Sequence, residues 1–267
     1  MKKIVALVLS MLMLSACLFS CGGASDLAAI KENGKMVIGI TLYEPMNYYA
    51  EDGETLIGFD TEFAEALCDE LGVDAKFQII DWKMKETELK SGNIDAIWNG
   101  LTVTEERKEN MGFTTPYLTN EQCIVIKADK ADVYVDTASL AGALIAAEAG
   151  SAGESAVAAD ENLSKATYVG ADTQAAALLE LKAGNVDAIV VDHSMATASV
   201  GSGDYADMII VDSIDLTDEL YAIGFRVGSD LIEEANTIIA KFIEDGTLEA
   251  IAEKYGRLEQ YKAAVNG

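Results

Sequence analysis

Short, wholly apolar runs alternate along the chain with stretches in which apolar residues recur every three or four positions, the alternation of buried strand and amphipathic helix. Met36 to Ile40 (MVIGI) predicts a first strand, followed by a loop from Thr41 to Met46 that Pro45 fixes. Gly58-Phe59-Asp60 opens a helix with Asp60 as its N-cap. Phe63, Ala64, Leu67 and Leu71 share one face of it, and Gly72 ends it. Lys76 to Ile80 predicts a second strand, Lys83 to Lys90 a polar helix and Ile94 to Trp98 a third strand. The order β-α-β-α-β implies a largely parallel sheet.

After FTTPY, Phe113 to Tyr117, the alternation restarts. Gln122 to Ile126, Leu144 to Ala147, Tyr168-Val169, Met208 to Val211 and Tyr221 to Phe225 predict strands. Gly150-Ser151-Ala152-Gly153 turns into one helix, Thr173 to Leu181 forms another, and Ile232 to Phe242 and Leu248 to Lys254 close the chain, with Gly246 between them. Pairing of Tyr221–Phe225 with Gln122–Ile126 would carry the chain back to where it started. The expected organisation is a discontinuous first lobe, residues 35–120 plus 222–267, a continuous second lobe, 121–221, and two crossing strands as a hinge.

One phrase occurs twice. LKSGNIDAIWN, Leu89 to Asn99, returns as LKAGNVDAIVVD, Leu181 to Asp192, with Leu, Lys, Gly, Asn, Asp, Ala and Ile in register. Both copies read as helix, glycine stop and apolar strand, so each lobe uses the same unit. Open α/β sheets bind ligands at the carboxyl ends of their strands. There the first copy delivers Asn99, Gly100 and Thr102, then a helix capped by Thr104 with Glu105, Glu106 and Arg107 in its first turn; the second delivers Asp192. The helix dipole favours the two acids but not Arg107, which therefore needs another role. A guanidinium from one lobe and a carboxylate from the other match the two ends of a small zwitterion.

Composition narrows the classes. Half of the residues are hydrophobic and prolines number two, which marks a folded globular chain. Acidic residues outnumber basic ones 45 to 19, and the net charge of -26 excludes a phosphate backbone as partner. Lys2, Lys3 and the apolar run Ile4 to Ala16 form a leader, residues 1–20, ending in two lipobox-like sequences, Leu14-Ser15-Ala16-Cys17 and Leu18-Phe19-Ser20-Cys21. Cys21 is favoured for lipidation over Cys17, because Gly22 to Ser25 opens a tether and lead-in, residues 21–34. That places the mature protein, palmitate-bearing, outside the cytoplasmic membrane. Cys68 and Cys123 are expected as buried free thiols, and the single histidine, His193, builds no metal site alone.

At GFDTEFAEALCDELG from Gly58, LKSGNIDAIWNGLTVTEERK from Leu89, FTTPY from Phe113, AIVVD ending at Asp192 and FIEDGTLEAIAEKYG ending at Gly256, the chain resembles a known family. This is the extracellular solute-binding proteins of polar amino-acid ABC importers, family 3. The resemblance implies an α/β, type II periplasmic-binding-protein fold: two lobes, each a mostly parallel sheet flanked by helices, joined by two hinge strands. It also implies that Arg107 binds the ligand α-carboxylate with Thr102 and backbone N–H groups near Ser151 and Ala152, that Asp192 and the Gly100 region bind the α-ammonium, and that Tyr43 and Trp82 flank the side chain. Glu148 stands where the family faces that side chain, which would favour a cation. Ile40 and Thr115 stand where many members carry acids, and Met46 where many carry an aromatic ring. A monomer that hands a free amino acid to an ABC permease, without cofactor or metal, is the expected role. The competing expectation is an enzyme on the same scaffold, similar to cyclohexadienyl dehydratases, with His193 as general acid.

Overall fold

The computed structural model describes residues 25–267; the leader, Cys17 and Cys21 lie outside the described residues. Helix α1 (Asp26–Asn33) leads into β1 (Lys35–Ile40), followed by a short antiparallel ribbon of β2 (Tyr48–Tyr49) and β3 (Leu56–Ile57). Then come α2 (Phe59–Leu71), β4 (Asp74–Ile79), α3 (Lys85–Ser91), β5 (Ala96–Ile97), α4 (Glu105–Lys108) and β6 (Gly112–Phe113). The long strand β7 (Leu118–Lys127) crosses to β8 (Leu144–Glu148), α5 (Ala152–Ala159), β9 (Thr167–Ala171), α6 (Gln174–Ala183), β10 (Ala188–Asp192), α7 (His193–Ser199) and β11 (Met208–Ile210). Strand β12 (Asp218–Tyr221) returns to β13 (Gly224–Phe225), and α8 (Leu231–Glu244), α9 (Thr247–Lys254) and α10 (Leu258–Asn266) end the chain.

Two sheets result. The first has the order β4-β1-β5-β13-β6, with β1 parallel to both β4 and β5. The second has the order β11-β7-β10-β8-β9, with β8 parallel to β9 and β10, and β7 antiparallel to β10. The strand expected at Tyr221–Phe225 divides. Gln122–Ile126 already has β10 on one edge and β11 on the other, so β12 pairs instead with Leu118–Glu121 and β13 joins the first sheet. Strands β7 and β12 are the two connections between the sheets.

Under the first sheet the aromatic side chains Phe59, Phe63, Trp98 and Tyr117 pack edge to face or stacked, with Phe63 4.8 Å from Trp98 and 5.3 Å from Tyr117. A separate core in the second lobe gathers Ile124, Ile126, Ile145, Leu163 and Val190. Cys68 and Cys123 are buried free thiols, as their apolar neighbours predict, and burial pushes Cys68 up to about 12, out of the range of a reactive thiolate.

Three local expectations change. Gly58, not Asp60, sits at the N-cap of α2; Asp60 is fully buried inside the first turn, where its Oδ2 accepts the Gly100 N–H at 2.6 Å. The helix expected over Lys83–Lys90 starts as a 3-10 turn at Trp82–Met84, and α3 buries Lys85 with Leu89, so it is not polar throughout. Helix α10 escapes the periodicity because Tyr261 alone is buried in it.

Candidate functional site

The repeated phrase builds the site from both sides by one device. In the first copy the Asp95 N–H donates to Val37 O at 2.7 Å while Asp95 Oδ2 accepts the Val37 N–H at 2.9 Å. In the second, Asp187 does the same with Leu144, at 2.8 Å each way. The shared aspartate clamps the start of the neighbouring strand, so each apolar strand runs on into the cleft with its carboxyl end free. β5 leads there to Asn99, Gly100 and Thr102, and β10 ends there at Asp192.

On the first lobe, Gly100 has φ 56, and a Cβ there would stand 1.8 Å from the Tyr43 hydroxyl, so the turn takes only glycine. Asn99 spends its side chain inside the lobe: its Oδ1 accepts from Thr41 N and Oγ1, and its Nδ2 donates to Thr41 O and Asn47 Oδ1. What Asn99 offers the cleft is backbone. Thr104 caps α4 as expected, its hydroxyl accepting from Arg107 N. Arg107 is 7% exposed; its Nη1 donates to Thr102 O at 2.8 Å, and Nη2 reaches across to Gly150 O at 3.2 Å. Burial lowers its pKa against the opposing pull of Glu219, Glu86 and Asp192, yet a guanidinium keeps its charge.

The second lobe answers with Glu148, Ser151, Ala152 and Asp192. Ser151 caps α5, its hydroxyl accepting from Glu154 N, and its own N–H donates to Glu148 O at 3.1 Å. The Ser151 N–H expected at the ligand is therefore spent on the turn, leaving the Ala152 N–H at the first position of the helix, which has no intrahelical partner. Gly150 has φ 76, and a Cβ on it would meet the Lys83 backbone of the other lobe at 2.8 Å. Its carbonyl also accepts from Lys85 Nζ at 2.8 Å, so two cations of the first lobe converge on one oxygen of the second.

Between the lobes lies a narrow, nearly closed cavity of about 10 Å³ lined by Trp82, Asn99, Gly100, Thr102, Arg107, Glu148, Ser151, Ala152, Gln174 and Asp192. Of the residues singled out from sequence, Tyr43 stands apart. It is buried behind Gly100, outside the lining. Glu148 is 2% exposed, its Oε1 has no hydrogen-bond partner among the described residues, and burial, then the Asp192 charge, push it up to about 8. Burial likewise raises Asp192, against the hydrogen bonds from Gln174 and Gln122. His193 faces elsewhere: it lines a hinge-side groove with Val103, Lys108 and Leu220, with Nε2 3.6 Å from Glu121 Oε1.

Sequence reasoning passed over Gln174, Gln122, Glu219 and Lys85. Gln174 holds Asp192 twice, its Nε2 on Oδ2 at 2.5 Å and its Oε1 accepting the Asp192 N–H at 2.9 Å. Its signal was its place at the first turn of a helix that Thr173 caps, at a strand's carboxyl end. Lys85 had none: within its helix it reads as one more solvated lysine, yet its Nζ is bonded to Trp82 O of its own lobe and to Gly150 O of the other.

The chain is similar to known proteins along nearly all of its described length. The model of the bacterial extracellular solute-binding proteins, family 3, matches residues 36–258. The L-cystine-binding protein TcyJ of Escherichia coli K12 is 30% identical over 230 residues, 85% of this chain and 84% of that protein. An amino acid ABC transporter substrate-binding protein from Streptococcus pneumoniae, solved bound to L-arginine, superposes with a TM-score of 0.78 at 31% identity, covering 86% of this chain and 97% of its own. The ancestral amino acid-binding protein AncCDT-1, a precursor of cyclohexadienyl dehydratase, gives 0.77 at 30% identity, covering 86% and 99%. Two lobes on a shared hinge, a cleft at the carboxyl ends of both sheets and a family match across nearly all the described residues place this chain among the bacterial extracellular solute-binding proteins, family 3.

Proposed function

We propose that the chain captures a free, cationic amino acid between lobes 35–120 plus 222–267 and 121–221 and presents it to an ABC permease. The observation that carries this reading is the charge order of the cavity: Arg107 on one lobe, Asp192 and Glu148 on the other. A zwitterion's carboxylate matches Arg107 and its ammonium matches Asp192, which leaves Glu148, whose buried Oε1 has no partner among the described residues, to meet a positive side chain in a cavity that Trp82 also lines. Thr102 and the Ala152 N–H assist at the carboxylate, the Gly100 carbonyl at the ammonium. Closure of the cleft, seen in the bonds from Arg107 and Lys85 to Gly150, makes the state a permease reads.

Micromolar affinity requires about 8 kcal/mol. One charge-assisted contact contributes about 1.5–3 kcal/mol, so all three ligand charges have to be matched. A thermal-shift panel of the twenty amino acids and L-cystine tests the reading. The largest shifts are expected with L-arginine or L-lysine; no shift with any of them would overturn it.

The chain is read as a binder, not an enzyme. The likeness to a dehydratase precursor keeps that second reading in view, but the one histidine lies outside the cavity. Recovery of L-arginine unchanged after incubation supports the binder, and its consumption the enzyme. Anchoring by lipid at Cys21, or at Cys17, follows from the leader. Replacing the modified cysteine by alanine should release the protein from membranes, and replacing the other should not.

A further inference from the structure

Two buried carboxylates meet behind the ammonium subsite. Asp192 ends β10 in the second lobe, Glu219 sits on the hinge strand β12, and both are 6% exposed. They compete for the same donors. Gln122 Nε2 lies 2.5 Å from Asp192 Oδ1 and 3.1 Å from each oxygen of Glu219. Asn120 Nδ2 lies 2.9 Å from Glu219 Oε2 and 3.4 Å from Asp192 Oδ1. An amide nitrogen has two protons, and Gln122 faces three carboxylate oxygens with them. Thr102 Oγ1 of the first lobe adds a bond to Glu219 Oε2 at 3.1 Å. Glu219 does not line the cavity; it borders the hinge-side groove instead.

The charged groups around the pair are Lys83, Lys85, Glu86, Glu106, Arg107 and Lys108 from the first lobe, Glu148, Glu154 and His193 from the second, and Glu121 and Asp218 from the hinge strands. Arg107 and Lys85 are the buried cations among them, and their hydrogen bonds go to the carbonyls of Thr102, Trp82 and Gly150, not to Glu219. Two carboxylates that share donors, without a cation bonded between them, do not both ionise readily.

We propose that Glu219 is a positioning residue that holds a proton in common with Asp192 and gives it up when an amino-acid ammonium docks, so that capture of the ligand releases a proton at the hinge. The inference rests on the amino-acid reading above. The ammonium brings one positive charge to Asp192, the shared carboxyl proton leaves to water or buffer, and no covalent bond of the ligand changes. Burial, then the Asp192 charge, push Glu219 up to about 7, and burial raises Asp192 as well. The sign is therefore fixed. Below about pH 7 the free pair keeps its proton, the ammonium favours two ionised carboxylates, and affinity falls by up to about tenfold for each pH unit below that point. Glu148 releases its own proton to a cationic side chain, but it does so equally whether or not residue 219 can ionise.

Calorimetry of L-arginine binding at about pH 6.5, in a buffer with small and one with large ionisation enthalpy, counts the protons. Wild type is expected to release up to one proton more than Glu219→Gln, and Glu219→Asp to retain the release. Equal counts in wild type and Glu219→Gln, with both binding, would overturn the inference and leave the amino-acid reading standing. Should Glu219→Gln not fold, the affinity profile of Glu148→Gln, in which the Glu148 contribution is gone, decides: a loss approaching tenfold from pH 7 to pH 6 supports the pair, and a flat profile removes it. Failure of wild type to bind L-arginine would remove the amino-acid reading and this inference together.

Discussion

Arg107 is the residue whose sequence position already asked for an explanation. A cation in the first turn of α4 works against the helix dipole, and the structure supplies the reason: the side chain is turned inward between the lobes. Arg107→Ala removes the charge facing the α-carboxylate, and loss of one charge-assisted contact of about 1.5–3 kcal/mol predicts a ten- to hundredfold weaker Kd for L-arginine, measured by calorimetry, with the circular dichroism spectrum unchanged. Glu148 tests selectivity. Its carboxyl group is neutral below about pH 8, so a cationic side chain should bind more tightly as the pH rises toward that value. Glu148→Gln should flatten this part of the profile for L-arginine and narrow its preference over L-glutamine. The roles of Gln174 and Glu219 were not readable in the same way. An amide or acid that serves another side chain carries no local signature; Gln174 opens helix α6 and Asp192 ends β10, 18 residues apart, and they meet only once that helix packs on the sheet.

The repeated helix, glycine and strand was the most readable element, because its pattern is local and occurs twice. Gly92 and Gly184 end their helices as expected, and the shared aspartate proves to be a clamp on the adjacent strand. The copies differ in the partners of that aspartate: Asp95 also meets Arg226 at 3.2 Å, while Asp187 has no ion pair among the described residues. Asp95→Ala should therefore lower the thermal midpoint more than Asp187→Ala, each losing about 1.5–3 kcal/mol from the charged hydrogen bond alone. A larger loss for Asp187→Ala would contradict the added stabilisation from the Arg226 contact. The division of Tyr221–Phe225 into β12 and β13 could not be read from apolar character, since it depends on which edges of β7 are free. Gly150 marks where the lobes touch. In Gly150→Ala the added Cβ would stand 2.8 Å from the Lys83 backbone, so each lobe should keep its fold while closure, and with it affinity for L-arginine, is lost by tenfold or more. Unchanged affinity would place the hinge-closed state elsewhere.

Across the whole molecule, acid is buried at the joint between lobes in a chain of net charge -26. Asp60 is pushed up to about 7 by burial, Glu148 to about 8 and Glu219 to about 7. Each folded-state value lies above its unfolded one of about 4, so the stability these groups contribute is complete only below about pH 4 and is lost progressively as the pH rises from there to 7 and 8. The ligand-free protein should melt at a higher temperature at pH 5.5 than at pH 8 in scanning calorimetry, and L-arginine should narrow that gap by matching the charges. A rise in melting temperature over that interval would contradict the burial of these acids. The account as a whole turns on Arg107 gripping the carboxylate end of a free amino acid. Agmatine keeps the guanidinium and an ammonium of arginine and lacks that carboxylate, so calorimetry of L-arginine against agmatine isolates the contact. Leaving a buried charge unpaired costs about 3–5 kcal/mol, which predicts micromolar binding of L-arginine and agmatine weaker by a hundredfold or more; equal affinity for the two would contradict the account.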